Sequence, residues 1–163
     1  TALMQIVSEA GRSIAEFVIF DSALKGIGRG DALSLANTSR LRTIKAGTQI
    51  YREGSFSPDG DCLFLVLSGE IRLEKRFRHF NYTLVDLGRG GVFGGLPALA
   101  GMKPPESATA REATKLLELN PAAISYLLEH SPWLMHRLTQ SVVSGYAERM
   151  EHFLEAQGTM ARF

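Results

Sequence analysis

The sequence predicts a mainly β domain, a β-sandwich or a jelly roll, flanked by helices. Between Leu41 and Leu119 the hydrophobic pattern divides into about eight short strand-like segments separated by glycine-containing turns. On either side of this region the apolar residues recur at helical spacing. We therefore expect N-terminal helices over residues 1–40, a β region over 41–119 and C-terminal helices over 120–163.

The N-terminal region contains two predicted helices. From Ala2 to Phe20 the apolar residues follow a helical spacing while the charged residues lie mostly on the other side, as in an amphipathic helix. Glycines at 26, 28 and 30 interrupt this pattern, and Asp31 is a suitable N-cap for a second, short helix. These helices precede the first predicted strand.

The central strands differ in how they are expected to be buried. Cys62–Leu67 is an almost uninterrupted apolar run, typical of a strand covered on both faces. Ile71–Phe80 alternates, so one side is predicted to face the core and the other the solvent. Near its end stands a group of basic and aromatic residues: Lys75, Arg76, Phe77, Arg78, His79, Phe80 and Tyr82. This group is either a surface for nucleic acid or acidic lipid, or a solvated hairpin tip whose aromatics pack inward, and we favour the second interpretation.

Two start signals predict the C-terminal helices. Asn120 followed by Pro121 places a good N-cap before a proline at the first helical position, and Ser131 followed by Pro132 repeats this arrangement. The last helix carries a long apolar stripe and is too apolar to stand alone in water. The stripe consists of Leu134, Met135, Leu138, Val142, Tyr146, Met150 and Phe153.

Composition limits the function. The chain has 163 residues, 45% of them hydrophobic, and a net charge of +1, which predicts one globular domain without bulk attraction to nucleic acid or anionic membrane. Its only cysteine, Cys62, cannot form an intrachain disulfide and is expected to be buried, which fits a cytoplasmic location. No apolar run approaches the length of a membrane span.

Catalytic and metal sites are not expected. The four histidines are His79, His130, His136 and His152, and three of them fall on the terminal helices, so no paired-histidine metal site can be drawn on the strands. The nucleophile-elbow, phosphate-loop and zinc-protease motifs are also absent. The sequence therefore predicts a protein that is not an enzyme, with no catalytic residues and no metal. These motifs assign no cofactor to it.

Several segments together resemble the cyclic-nucleotide-binding domain family. They are Lys45–Gly54 (Lys-Ala-Gly-Thr-Gln-Ile-Tyr-Arg-Glu-Gly), Leu65–Ile71, Asp86–Gly88 and Gly91–Gly94, in the family's order and separation. The resemblance runs from about Leu24 to beyond Met150. It implies an eight-stranded antiparallel jelly roll (β-roll) with N-terminal helices and a long C-terminal helix.

The stretch Val92–Arg111 resembles the phosphate-binding cassette of that family. There a glutamate binds the ribose, an arginine pairs with the cyclic phosphate, and backbone amides of a short helix donate to the same oxygens. The resemblance implies that the ligand pocket of this chain contains Phe93, Gly94, Gly95, Leu96, Pro97, Ala98, Glu106, Ser107 and Ala108.

Three of these positions depart from the family pattern. Gly95 stands in place of the glutamate, Glu106 in place of the arginine, and Pro97 has no amide hydrogen to donate. Losing the arginine and placing a carboxylate beside a phosphate each cost about 1.5–3 kcal/mol. Together they weaken binding by roughly three orders of magnitude or more. Arg111 lies further along the same strand, where it rescues phosphate binding only if the cassette is rearranged.

The sequence therefore predicts a non-catalytic regulatory or sensor module whose pocket has drifted from cAMP and cGMP. Its partner is either a less anionic small-molecule effector or another protein that it contacts with the pocket empty. The alternative is a cyclic-nucleotide-binding domain with a rearranged cassette, acting as the effector domain of a transcription regulator or another signalling protein.

The resemblance also bears on assembly and on nucleic acid. Relatives often pair through the last helix, so we expect a homodimer through Leu134, Leu138, Val142, Tyr146 and Met150. Many relatives carry a helix-turn-helix after this helix, but the 163 residues of this sequence contain no recognition helix. We expect no direct nucleic acid or membrane contact by this chain.

Overall fold

A computed structural model describes residues 14–18 and 22–161. It contains the strands β1 (Arg40–Ile44), β2 (Gln49–Tyr51), β3 (Leu63–Ser68), β4 (Ile71–Phe77), β5 (Phe80–Leu87), β6 (Val92–Gly94), β7 (Ser107–Ala110) and β8 (Thr114–Leu119). The helices are α1, described over residues 14–18, α2 (Arg29–Thr38), α3 (Leu96–Ala100), α4 (Pro121–His130) and α5 (Pro132–Ala161).

The strands form two four-stranded antiparallel sheets. The first sheet has the order β1-β8-β3-β6 and the second the order β2-β7-β4-β5. Except for the neighbours β4 and β5, strands that follow each other in sequence lie in different sheets, which is the connectivity of a jelly roll. The eight-stranded antiparallel jelly roll with flanking helices is therefore confirmed.

Strand β3 is buried on both faces, as its apolar run predicts. Leu63 and Leu65 pack into a core shared with the helices, whereas Phe64 and Val66 pack between the two sheets. Cys62, just before this strand, is 4% exposed, and burial with the nearby Glu118 carboxylate raises the pKa of its thiol to about 12. The thiol is therefore buried and protonated at neutral pH.

The predicted helix starts are largely confirmed. The Asn120 side chain accepts a hydrogen bond from the Ala123 amide at 2.8 Å, and α4 begins at Pro121. Helix α2, however, begins at Arg29 after an N-cap at Gly28, so Asp31 lies in its first turn and is not its cap. Residues 14–18 are helical as predicted, and the rest of the first predicted helix lies outside the described residues.

The first part of the apolar stripe on helix α5 is covered by its own chain. Leu134, Leu138 and Val142 belong to the core and are at most 4% exposed. The apolar stripe was expected to offer surface to a second copy, and the structure corrects this for these three residues because the β-roll and the other helices already cover them. Trp133 and Val143 are instead exposed on this helix. The homodimer itself stays a prediction.

The β4–β5 hairpin tip divides its aromatic residues. Phe77 and Tyr82 each pack edge-on against Phe153 of α5, with ring centroids 6.0 Å and 5.5 Å apart. Phe80 points outward and is 74% exposed. The expectation that the tip's aromatics pack inward is therefore right for two residues and wrong for Phe80.

Among the described helices, none combines the length and apolar character that crossing a membrane requires.

Candidate ligand pocket

Two consecutive glycines shape the entry to the cassette. Gly94 and Gly95 have φ values of 79° and 83°, in the left-handed region that favours glycine. A Cβ on Gly94 would lie 2.8 Å from the Cys62 carbonyl oxygen, so only glycine fits there. This turn directs the chain from β6 into the five-residue helix α3.

The first turn of α3 lacks one of the amide donors that the family pattern implies. Pro97 lies in this turn, where proline is well tolerated because the first helical amides have no partner within the helix. The cost is functional, since the proline nitrogen has no hydrogen to offer a ligand. The helix ends at its C-cap Gly101, whose amide donates to the Pro97 carbonyl at 3.0 Å.

The carboxylate of Glu106 pairs with an arginine from the far end of the chain. Glu106 is 3% exposed, and Arg149 of α5 is 8% exposed. The Arg149 Nε donates to Glu106 Oε2 at 2.9 Å, and its Nη2 donates to Oε1, so the pair is bidentate. The charge at the position of the family's arginine is thus negative, and it is neutralised within the chain.

Gly145 makes room for this arginine on α5. It precedes Arg149 by one helical turn, and a Cβ at position 145 would lie 2.9 Å from Arg149 Nη1. The guanidinium therefore folds back over the glycine to reach Glu106. A glycine inside a helix costs about 1 kcal/mol relative to alanine, and here it provides the space for a buried ion pair.

Only a small cavity remains beside the ion pair. Its volume is about 10 Å³, and its wall includes Tyr51, Val142 and Arg149. Such a volume holds about one water molecule, whereas small-molecule sites usually measure 300–1,000 Å³. Burial, followed by the nearby Glu106 charge, raises the pKa of Tyr51 well above its usual value, so its hydroxyl stays protonated. In this conformation the pocket is closed to a nucleotide.

The structure brings some of the predicted pocket residues together and separates others. Those that line the cavity are Phe93, Gly94, Leu96, Pro97 and Glu106. The others lie elsewhere: Gly95 is buried against Leu63, Ala98 is exposed, Ala108 lies in the core between the sheets, and Ser107 accepts a hydrogen bond from the Glu53 amide at 2.8 Å.

Arg111 does not reach the pocket. Its Nη1 donates to Glu70 Oε1 and to Asp86 Oδ2, both at 3.0 Å, on the surface of the second sheet. Asp86 is also paired with Arg72, whose Nε lies 2.9 Å from it. Arg111 is therefore committed to a surface network of charges and does not replace the missing cassette arginine in this conformation.

Sequence reasoning missed several residues of the pocket wall, and Arg149 is the charged one among them. The apolar stripe of the last helix was recognised, but Arg149 lies seven residues after Val142 and therefore on nearly the same helical face. A charged side chain on a face predicted to be buried requires an opposite charge, and Glu106 was already expected in the pocket. Combining these two observations would have suggested the pair.

No metal site competes with this interpretation in the part of the chain that the structure describes. Residues 14–18 and 22–161 contain no group of three or more histidine, cysteine or acidic side chains that could hold a metal ion.

Comparison with known proteins agrees with the fold. The family model of the cyclic nucleotide-binding domain matches residues 41–131, which is more than half of the chain. The chain belongs to this family, whose members are regulatory ligand-binding domains. None of the curated protein sequences matches it significantly.

Solved structures show the same fold. A cyclic nucleotide-binding domain from Methylobacillus flagellatus is 23% identical with a TM-score of 0.72, and the alignment covers 92% of this chain and 85% of that one. The catabolite activator protein of Thermus thermophilus is 26% identical with a TM-score of 0.68, covering 85% and 62%. A regulatory subunit of a cAMP-independent protein kinase A from Trypanosoma cruzi, bound to guanosine, is 16% identical with a TM-score of 0.72, covering 95% and 53%. This chain thus spans less than two thirds of the last two proteins.

Proposed function

We propose that this chain is a non-catalytic regulatory module of the cyclic nucleotide-binding domain family that does not take cAMP or cGMP as its signal. One observation carries the proposal: the carboxylate of Glu106 is buried in a bidentate ion pair with Arg149. A cyclic phosphate entering here meets a negative charge where the family pattern has an arginine. The cationic group that it needs is already neutralised.

The closed pocket restricts what could act as a small-molecule effector. Val142 and Arg149 of α5 form part of the wall of the cavity, so a ligand larger than this cavity has to displace their side chains. It must also leave Glu106 with a hydrogen-bonding partner, because an unpaired buried carboxylate costs several kcal/mol. These requirements favour an uncharged or cationic ligand, or none, over an anionic one.

A nucleoside is the best small-molecule candidate. The kinase regulatory subunit from Trypanosoma cruzi, which has this fold, is bound to guanosine, a nucleoside without a phosphate. A ligand of this kind avoids the repulsion from Glu106. If no nucleoside binds, the module acts through protein contacts while the pocket stays closed.

Isothermal titration of the purified chain with cAMP, cGMP, guanosine and adenosine tests the proposal. We expect no binding of either cyclic nucleotide in the micromolar range, because the two losses in the cassette reduce affinity by roughly three orders of magnitude. Micromolar binding of cAMP or cGMP would overturn the proposal and favour the alternative, a cyclic-nucleotide-binding domain with a rearranged cassette. Guanosine or adenosine binding would identify the effector class.

The assembly and location of the module remain predictions. We expect a homodimer through α5, with the exposed Trp133, Val143 and Leu154 replacing the buried part of the stripe as contact residues. Sedimentation equilibrium measures the assembly, and a monomer at all concentrations would exclude it. A cytoplasmic location remains the expectation from the single buried cysteine.

A further inference from the structure

The second sheet carries an open groove on the face that points away from the core. The groove has a volume of about 690 Å³ and lies between the end of β2 and the β4–β5 hairpin. Ser107 and Thr109 of β7 form part of its floor, while the alternate residues Ala108 and Ala110 face the core between the sheets. We call this feature the outer groove. It is separate from the closed pocket beside Glu106.

One of the two acidic side chains of the outer groove, Glu53, already has partners. Glu53 Oε1 accepts from Lys75 Nζ at 2.8 Å, and Glu53 Oε2 accepts from the Arg76 amide at 2.8 Å. The pKa of the Arg72 guanidinium is raised first by its hydrogen bond to Asp86 and less by the charge of Glu74, so Arg72 is committed to Asp86. Glu53 is therefore compensated by Lys75, which does not line the groove, whereas Glu74 contributes a negative charge to it.

The basic side chains of the groove have no such partners. Arg52, Arg76 and Arg78 line it and are exposed, and within residues 14–18 and 22–161 none of these three makes an ion pair. Three guanidinium groups without an ion pair thus surround one concave surface and outnumber its single carboxylate without a cationic partner, Glu74. This clustering is local, since the whole chain has a net charge of only +1.

Arg78 is held at the groove by an unusual backbone conformation. Its φ is 57°, and among the described residues it is the only one other than glycine with a positive φ. Glycine would adopt this hairpin position at lower cost, so the chain places an arginine there against the local preference. The Arg78 guanidinium lies 5.2 Å from the centre of the Phe77 ring, which supports its position at the edge of the groove.

We propose that the outer groove is a docking site for an extended acidic segment of a partner protein. Guanidinium groups bind carboxylates in a planar, bidentate geometry, and three of them separated along a groove match a segment with several acidic side chains. The amide groups of Gln49 and Asn81, which also line the groove, offer donors and acceptors to the peptide backbone. The exposed Phe80 at the hairpin tip adds an apolar contact.

A protein segment fits this surface better than a nucleic acid or a lipid surface does. A polyphosphate carries negative charge at every unit and would lie against the carboxylates of Glu53 and Glu74 within the groove. A peptide varies its charge from residue to residue and can place neutral groups beside them. The concave shape likewise suits a single chain better than a flat membrane.

Fluorescence anisotropy with a labelled peptide of alternating glutamate and serine tests the proposal. The intact chain is expected to bind this peptide at low salt and to lose affinity as salt is raised, because exposed charge pairs are screened. The variant R52Q/R76Q/R78Q is expected to bind on the order of tenfold more weakly, given three exposed charge pairs. A peptide of alternating glutamine and serine is expected not to bind.

A matched variant separates the groove from net charge. Arg40, Lys45 and Lys115 are exposed and lie on or next to β1 and β8 of the first sheet, so R40Q/K45Q/K115Q removes the same charge elsewhere. Equal loss of binding in both triple variants would overturn the proposal, as would no binding by the intact chain. Stronger, groove-dependent binding of single-stranded DNA or of phosphatidylserine vesicles would also overturn it. None of these variants changes the closed pocket. The nucleotide titrations therefore test the proposed function separately from the peptide-binding test of the outer groove.

Discussion

The closed pocket and the outer groove differ in whether their arginines have an ion-pair partner within the described residues. In the pocket, Glu106 and Arg149 are both buried and neutralise each other, leaving a cavity of about 10 Å³. In the groove, three arginines surround a space of about 690 Å³ with no ion-pair partner among the described residues. A charge satisfied within the chain stabilises one closed conformation, whereas a charge left uncompensated at a concave surface is available to a partner. The contrast suggests that this module presents its recognition chemistry on its outer face.

The largest expected effect comes from removing one member of the buried pair. Glu106→Ala leaves the Arg149 guanidinium without its partner in a buried position, which typically destabilises a protein by about 3–5 kcal/mol. Urea unfolding followed by circular dichroism measures this loss. The double variant Glu106→Leu/Arg149→Met is the control, because it removes both charges and keeps apolar volume. The free energy of unfolding of this double variant is expected to lie within about 1 kcal/mol of that of the unmodified chain, or above it. Equal destabilisation of the single and double variants would show that packing, and not charge, governs this site.

A second change asks whether the pocket excludes cyclic phosphate through charge. Glu106→Arg/Arg149→Gln places a guanidinium at the cassette position and removes the cation that would oppose it. We expect cAMP affinity to rise by about tenfold or more over the unmodified chain, because a charge-assisted hydrogen bond replaces a repulsive contact. Isothermal titration measures the change.

The control for this variant is Glu106→Gln/Arg149→Gln, which removes both charges without supplying a guanidinium. It should gain clearly less affinity than the arginine variant, and equal gains would show that opening of α5 alone admits the ligand. Restoring a glutamate at Gly95 is a poorer test. That residue has a φ of 83°, and a Cβ there would lie 3.0 Å from Leu63 Cδ1.

Local signals predicted most of the fold, and contacts between distant residues explain what they missed. The apolar run at Cys62–Leu67 and the Asn120 cap depend on neighbouring residues, and both appear as expected. The Glu106–Arg149 pair joins residues 43 positions apart, so no local pattern contains it. The stripe on α5 was read correctly as apolar, but helical periodicity cannot tell whether a stripe packs on its own chain or on a second copy. Leu134 and Leu138 pack on their own chain.

The smallest expected effect tests whether Gly145 exists to accommodate the pair. Gly145→Ala would normally stabilise a helix by about 1 kcal/mol, but the new Cβ would lie 2.9 Å from Arg149 Nη1 and disturb its contact with Glu106. Gly158 on the same helix has nothing within 4 Å of an added Cβ, so Gly158→Ala should give a gain of up to about 1 kcal/mol. We expect Gly145→Ala to give no gain or a loss in urea unfolding. In the Glu106→Leu/Arg149→Met background the guanidinium is absent, and the same change should then stabilise the chain by about 1 kcal/mol. If Gly145→Ala stabilises both backgrounds equally, Arg149 does not depend on the space that this glycine leaves.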